Sequence, residues 1–263
     1  MGTESFCLGG APQGLCARST RAKVGYFRGE KRDVQRIALR LFRRRLETWE
    51  YAGLAGAPDD AEVEVGTYNA GLYVEMFQPV TSCYHVVQLI RRADDGPVVV
   101  IDAFRVCEPM RQKGLGSAIF ARQLAAASAL GAKRIETVAG RNGDENGYYT
   151  WPRFGFDGPL SDEIQQKLPL GLDLATNVLD LMRCQQGRQW WKAHGIPIRL
   201  AFDLADRSRS RRAFERYIRQ PTRTPDVHKP GPPSAAISFN RKPEACAGSP
   251  TGVPCTRTPP ACG

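Results

Sequence analysis

The sequence predicts an α/β (α+β) fold with a mixed, mostly antiparallel central sheet flanked by helices. Three β-branched or aromatic runs, at 71–77, 84–90 and 97–106, are separated by turn-like segments and indicate an antiparallel meander. A glycine-containing stretch then opens an alanine-rich helix that ends near Gly131, and another strand follows at 134–140. A strand, a tight loop, a helix and a strand in close succession predict a βαβ crossover.

Helical patterns and a proline-rich tail set the expected domain limits. A basic amphipathic helix is predicted over 29–54, and helices at 161–168 and 174–195 form an insertion, about 158–197, before a last strand at 198–204. A basic helix follows at 208–219, with Ser208 as its N-cap. Residues 29–220 are therefore expected to form one domain, between a disordered segment 1–28 and a disordered tail 221–263 that holds ten of the 19 prolines.

Composition and charge limit the classes of function that the chain can have. The chain has 263 residues, 42% hydrophobic and 24% charged, without an apolar run long enough to span a membrane and without a convincing secretory signal. Its eight cysteines form no CxxC pair and share no spacing with the three histidines, so no metal site is expected. We expect a cytoplasmic protein with no membrane partner. The net charge of +10 favours acidic partners, anionic cofactors or nucleic acid, although general solubility explains it equally well.

The most specific pattern is EPMRQKGLGSAIF, residues 108–120. Glycines ahead of a helix leave N–H groups unpaired at the positive end of the helix dipole, and this arrangement binds phosphates. The P-loop pattern is absent, and the dinucleotide pattern has Ile119 at its third glycine position, although Glu136 would suit a ribose. A purely structural explanation, in which Gly114 and Gly116 tighten a strand-to-helix turn, stays open.

The segment from Arg111 to Gly116 fits the pattern [RQ]-x-x-G-x-[GA], with Val106 five residues before Arg111. Here the chain resembles the GNAT superfamily of acyl-CoA-dependent N-acetyltransferases, whose order of elements matches residues 29–156. The resemblance implies acetyl transfer from acetyl-CoA to an amine by direct attack in a ternary complex, without a metal. It implies that the pyrophosphate lies on the backbone N–H groups of the loop, with added charge from Arg111 and Lys113, and that the end of the preceding strand pairs with the pantetheine amides. The implied cofactor-binding residues are Phe104, Arg105, Val106, Arg111, Gln112, Lys113, Gly114, Leu115, Gly116 and Ser117.

The sequence departs from the family where a tyrosine usually protonates the leaving thiolate. Counting back from the GF at 155–156, Trp151 stands at the tyrosine position, Gly147 at the alanine position and Asp144 at the asparagine position. Pro152 is expected to push Trp151 out of helical geometry. Tyr148 would share a helix face with Trp151 and is the candidate acid, and Asn146 is a candidate for the missing cofactor contact. The alternative is that the aromatic residues around Tyr148 form a core cluster.

A base must also take a proton from the substrate ammonium, because only a neutral amine attacks a thioester. Asp102 is the first candidate, since strand alternation would place it beside Phe104 and Val106 in apolar surroundings that raise the pKa of a carboxyl. Glu75 on an adjacent strand is the second. Either could instead be a solvated charge on a strand face.

The acceptor is not specified by the sequence: it could be a small molecule, a protein or an aminoacyl-tRNA. Basic side chains at the first and last helices could attract an acidic partner or RNA, or simply face solvent. The Trp190–Trp191 pair could line an acceptor pocket or pack between helices. Two other functions stay open, a catalytically reduced GNAT-like module that binds acyl-CoA or a protein, and a basic RNA-binding protein.

Overall fold

A computed structural model describes residues 21–27, 30–142 and 145–219 of the chain. The expectations of disorder for residues 1–20 and for the tail 221–263 lie outside these ranges. Within them, no helix is long and apolar enough to cross a membrane. The same ranges contain no group of three or more His, Cys, Asp or Glu side chains that could hold a metal ion.

A seven-stranded mixed sheet forms the centre of the described part. Its strands lie in sequence order: β1 Lys23–Tyr26, β2 Glu62–Tyr68, β3 Gly71–Phe77, β4 Tyr84–Ala93, β5 Gly96–Val106, β6 Arg134–Ala139 and β7 Ile198–Asp203. The antiparallel meander predicted for three strands is formed by β3 to β5, and β2 extends it. β6 with β7 is also antiparallel, whereas β1 with β2 and β5 with β6 are parallel. The parallel β5–β6 pair confirms the predicted crossover.

Two of these strands were not predicted. β1 lies in the segment 1–28, so the expectation of disorder is wrong for residues 23–26, which pair in parallel with β2. β2 was missed because its apolar residues are only Val63 and Val65 between glutamates, a weak alternation that gains its meaning from pairing with β3.

The described residues include eight α-helices and a short 3-10 helix, Glu108–Met110. The single helix predicted over 29–54 is two, because Arg43 adopts a left-handed conformation (φ 62°) that ends the first, and Glu47 caps the second. The segment 174–195 likewise divides. The helices are α1 Lys31–Phe42, α2 Thr48–Ala55, α3 Leu115–Ala129, α4 Gly147–Arg153, α5 Asp162–Gln165, α6 Val178–Leu181, α7 Gln185–His194 and α8 Arg209–Arg219.

The core lies between the helices and one face of the sheet. Phe120 of α3 is fully buried at its centre, with five aromatic neighbours from α4, the segment after it, β7 and α8: Trp151, Phe154, Phe156, Phe202 and Phe214. Burying such side chains contributes about 1.5–3 kcal/mol each. This packing fixes α3 and α4 against the carboxyl end of β5.

Candidate functional site

The parallel strands β5 and β6 separate toward their carboxyl ends. Their ladder joins Val98–Ile101 to Arg134–Thr137 and stops there, although β5 continues to Val106. On its other side β5 stays paired with β4 to its last residue, and the N–H of Cys107 also donates toward that side. Because the direction of backbone hydrogen bonds alternates along a strand, the backbone groups of Phe104 and Val106 face the gap beside β6. The end of β5 therefore offers an open strand edge.

The loop after β5 is tied to that edge. Arg111 Nε donates to the carbonyl of Val106 at 3.0 Å. Gln112 (φ 62°) and Gly114 (φ 83°) both adopt left-handed conformations, and α3 begins at the residue after Gly114. No side chain caps this helix, and its first internal hydrogen bond runs from Ala118 N–H to the Gly114 carbonyl. The N–H groups of the first turn are thus left for an anion, beside the basic side chain of Lys113.

Gly116 is not required by the fold. A Cβ built there would lie 3.6 Å from Phe104 Cε1 and 3.8 Å from Val106 Cγ2, which is ordinary contact. Gly114 is different, because its positive φ favours glycine whatever the space around it. Tightening of the turn therefore explains Gly114 but leaves Gly116 unexplained. Gly116 keeps the space over the open end of β5 clear of a side chain.

A β-bulge moves Asp102 away from this edge. Ala103 pairs with Val87 and Ile101 pairs with Gln88, so Asp102 is an extra residue in β5. Ile101 and Phe104 consequently face the helices, and the two residues between them face the opposite side. The predicted position of Asp102 beside Phe104 and Val106 is wrong for this reason. Its side chain is exposed, so it also lacks the apolar surroundings expected for it.

Glu75 lies on that opposite face within a hydrogen-bonded group. Tyr73 Oη donates to Glu75 Oε2 at 2.7 Å, and Glu75 Oε1 lies 2.7 Å from His85 Nε2. The hydrogen bond with His85, and after it the one from Tyr73, lowers the pKa of the Glu75 carboxyl despite its partial burial. Burial, and then the bond to Glu75, raises the pKa of Tyr73.

His85 was missed by the sequence analysis. It is opposite Arg105 in the β4–β5 ladder, so it brings an imidazole close to the end of β5, on the face that Asp102 and Glu75 share. The available signal was its place in the strand-like run 84–90, where alternation puts it on the face opposite Tyr84 and Val86.

The strand order, the parting of β5 and β6 and the glycine loop leading into α3 reproduce the arrangement expected from the sequence motif. The fold is GNAT-like. No protein-family model and no curated protein matches the chain.

Solved structures of acetyltransferases were found among the matches. Ard1 from Thermoplasma volcanium is 17% identical, with a TM-score of 0.27 over 34% of this chain and 57% of that one. Naa50 from Arabidopsis thaliana, solved with a bisubstrate analogue, is 17% identical, with a TM-score of 0.29 over 52% and 82%. A GNAT-family acetyltransferase from Staphylococcus aureus Mu50 is 10% identical, with a TM-score of 0.32 over 68% and 96%. The chain spans little more than half the length of the Ard1 structure.

Helix α4 contains Trp151, the residue that the sequence motif sets at the expected tyrosine position. Trp151 lies within it, so the expectation that Pro152 displaces Trp151 from helical geometry is wrong. Pro152 cannot donate to the carbonyl of Tyr148, four residues earlier, and Trp191 Nε1 donates there instead at 2.8 Å. The Trp151 ring packs edge-on against Phe104, 5.4 Å between centroids, next to the open strand edge.

The hydroxyl of Tyr148 has a structural partner. It donates to the carbonyl of Lys192, near the end of α7, at 2.8 Å, and the Arg141 guanidinium lies over the ring. Asn146, the residue before α4, accepts a hydrogen bond from Thr150 Oγ1 at 2.9 Å. Both side chains thus have hydrogen-bond partners within the fold. The contact of Asn146 with the cofactor and the acid role of Tyr148 stay predictions.

The tryptophan pair and several of the basic side chains that the sequence analysis singled out have partners inside the fold. Trp191 of α7 is fully buried and donates to the Tyr148 carbonyl of α4, which favours its packing role, and Trp190 stacks on His194. Four basic side chains in or next to the first and last helices form hydrogen bonds inside the domain. They are Arg36 with Asp33, Arg44 with Glu50, Arg209 with Asp180, and Arg211 with the Leu204 carbonyl and Ser128 Oγ. Ser208 Oγ accepts from Arg211 N–H and confirms the predicted cap of α8.

Proposed function

We propose that the protein is an acetyl-CoA-dependent N-acyltransferase. The observation that carries the proposal is Gly116. It sits in the uncapped first turn of α3, over the open edge of β5, where the fold would accept a Cβ atom and the sequence has none. A cofactor whose phosphates approach the helix N-terminus and whose chain lies along the strand edge accounts for both features.

Acetyl-CoA would be held mainly by backbone groups. The pyrophosphate would accept hydrogen bonds from N–H groups between Gln112 and Ser117, and Lys113 would add positive charge. The pantetheine amides would pair with the backbone of Phe104 and Val106 facing the gap. Arg111 contributes by binding the Val106 carbonyl, which fixes the loop to the strand.

The reaction would then be direct attack by a neutral amine on the thioester carbonyl carbon. The C–N bond forms, the C–S bond breaks, and the coenzyme A thiolate leaves and takes up a proton. Glu75 and His85 are the base we favour, because the carboxylate orients an imidazole, the side chain that most often exchanges protons near neutral pH. Asp102 stays the alternative base on the same face.

A second candidate function is acyl-CoA binding without turnover. It is favoured by α4, where Trp151 replaces the usual tyrosine and the hydroxyl of Tyr148 donates to a backbone carbonyl. If the protein is instead a transferase, the leaving thiolate must take its proton from a group other than Tyr148, or leave as the anion.

The test begins with native mass spectrometry of the purified protein for retained coenzyme A. Thiol release is then measured with acetyl-CoA and three acceptor classes: small amines, peptides with free N-termini and lysines, and aminoacyl-tRNA. Acceptor-dependent release supports the transferase. Tight acetyl-CoA binding without release for any class supports the binding module. Binding of RNA without affinity for acetyl-CoA contradicts both.

A further inference from the structure

A pair of cysteines lies at the base of the glycine loop. Cys83 precedes β4 and Cys107 follows β5, and the register that pairs Tyr84 with Val106 places them opposite each other when continued by one residue. Cys107 N–H donates to the Cys83 carbonyl at 2.7 Å. Their Sγ atoms are 2.8 Å apart, closer than the roughly 3.5–4.0 Å of ordinary non-bonded contact between carbon atoms.

The backbone geometry permits a covalent bond. Opposed residues of antiparallel strands have Cα atoms about 4.5–5.5 Å apart, which lies inside the range of about 4.4–6.8 Å found for disulfides. Both side chains are only partly buried, so a small reagent can reach them. We propose that Cys83 and Cys107 are a thiol-modification site that forms a reversible intramolecular disulfide by exchange with a low-molecular-weight disulfide such as oxidised glutathione.

The two thiols have different roles in this exchange. Cys107 donates its S–H to the Cys83 sulfur, which lowers the pKa of Cys83 and raises the pKa of Cys107. Cys83 is therefore the attacking thiolate: it forms a bond to one glutathione sulfur, the glutathione S–S bond breaks, and one glutathione leaves. Cys107 then loses its proton to solvent and attacks Cys83 Sγ, which releases the second glutathione. Two protein thiols are oxidised and one glutathione disulfide is reduced.

The bond would fix the start of the loop. The carbonyl of Cys107 accepts hydrogen bonds from the N–H groups of Met110, at 3.0 Å, and Arg111, at 3.1 Å. A link from Cys107 to Cys83 would anchor the turn that leads to Gly114. It closes a loop between the two cysteines, so the oxidised protein should also melt at a higher temperature, by several degrees. The site does not depend on the proposed transferase activity.

The test uses the full chain incubated in excess oxidised glutathione, alkylated with N-ethylmaleimide and digested with trypsin without reduction. The expected product is a cross-link between the peptides 46–91 and 106–111, removed by dithiothreitol and accompanied by a higher melting temperature. Alkylation of both cysteines, a lasting glutathione adduct on Cys83 or Cys107, or a cross-link from either to another cysteine would overturn the proposal. These outcomes are read on the unmodified sequence, so no variant has to fold.

Variants then assign the roles. Cys107→Ser should trap a glutathione adduct on Cys83, whereas Cys83→Ser should leave Cys107 largely unmodified over the same time. Cys184→Ser is the matched control, because Cys184 is exposed and its sulfur accepts from Gly187 N–H; it should form the cross-link like the unmodified protein. An adduct on Cys107 that forms as fast as the one on Cys83 contradicts the order of attack.

Discussion

Tyr148 shows how a single hydroxyl separates two accounts of the site. Its proton is donated to the Lys192 carbonyl, so Tyr148→Phe removes one hydrogen bond and leaves that carbonyl unpaired. We expect the free energy of unfolding to fall by about 1 kcal/mol, with unchanged acetyl-CoA affinity, and denaturant unfolding beside calorimetry checks both. A loss of turnover on the order of 10²-fold at unchanged stability would instead make Tyr148 the acid.

The identity of the base is tested with variants at His85 and Asp102. Because the pKa of Glu75 lies below its usual range, Glu75 is ionised well below neutral pH, and a rate that rises near neutrality does not report its titration. We expect His85→Gln to lower thiol release on the order of 10²-fold and Asp102→Asn to change it little. The measurement is thiol release against pH with a working acceptor. The opposite ranking would return the role to Asp102.

At the element scale, the connection between α1 and α2 is stabilised by one buried carboxylate, that of Glu50. Glu50 is 5% exposed, accepts from Glu47 N–H at 2.9 Å and pairs with both Nη atoms of Arg44. Burial alone would raise its pKa, but the hydrogen bonds from Arg44 and from the Glu47 N–H outweigh it and hold the pKa below the usual value. The charged form is therefore bound more strongly in the folded state.

Glu50→Gln should destabilise the protein by about 1–2 kcal/mol at neutral pH. The stabilisation is fully present above the ordinary carboxyl pKa and is lost as the pH falls through the lower folded pKa, so the difference from the unmodified protein should shrink in acid. Denaturant unfolding at several pH values measures it. Glu163→Gln, at an exposed carboxylate paired with Lys167, is the control and should match the unmodified protein; a pH-independent deficit in Glu50→Gln would contradict the argument.

The sequence predicted elements whose signals are local. The meander, the crossover and the cap of α8 follow from alternation, glycines and Ser208. Elements that depend on partners far along the chain were missed: β2 needs its pairing with β3, and the bulge at Asp102 is visible only in the ladder with β4. Pro152 is tolerated in α4 because Trp191 occupies the freed carbonyl. No pattern near Pro152 can show that.

The candidate site also has one part that the sequence could predict and one part that it could not. The glycine loop could be found from sequence, since its residues are consecutive. The group of Tyr73, Glu75 and His85 comes from two strands, and only their register brings it together. The engagement of Tyr148 with the Lys192 carbonyl is equally non-local.

At the scale of the whole molecule, the core extends from Val34 to Phe214 and α8 ends at Arg219. The tail after it is rich in proline and lacks apolar periodicity, so it has little to bury. We predict that truncation after Gln220 changes the melting temperature by no more than a few degrees and leaves acetyl-CoA affinity unchanged. Calorimetry of both forms checks this, and a large loss of either property would show that the tail contributes to the domain.

The central claim is that the first turn of α3 binds acetyl-CoA. It is tested by titration calorimetry of acetyl-CoA into the unmodified protein and three glycine variants, Gly114→Ala, Gly116→Leu and Gly131→Ala. Gly114 and Gly131 form a matched pair at the two ends of α3: both have positive φ, 83° and 75°, and a Cβ at either would meet nothing within 4 Å. Gly114→Ala and Gly131→Ala should therefore lose similar stability, about 1 kcal/mol.

Gly116→Leu should leave the protein folded with nearly unchanged stability, because a Cβ at Gly116 makes only ordinary contacts and leucine favours a helix. The account predicts micromolar or tighter binding by the unmodified protein and by Gly131→Ala. It predicts affinity at least about tenfold weaker in Gly114→Ala and Gly116→Leu, the loss that about 1.4 kcal/mol of binding free energy produces. Equal affinity in all four folded proteins, or no binding by the unmodified one, would contradict it.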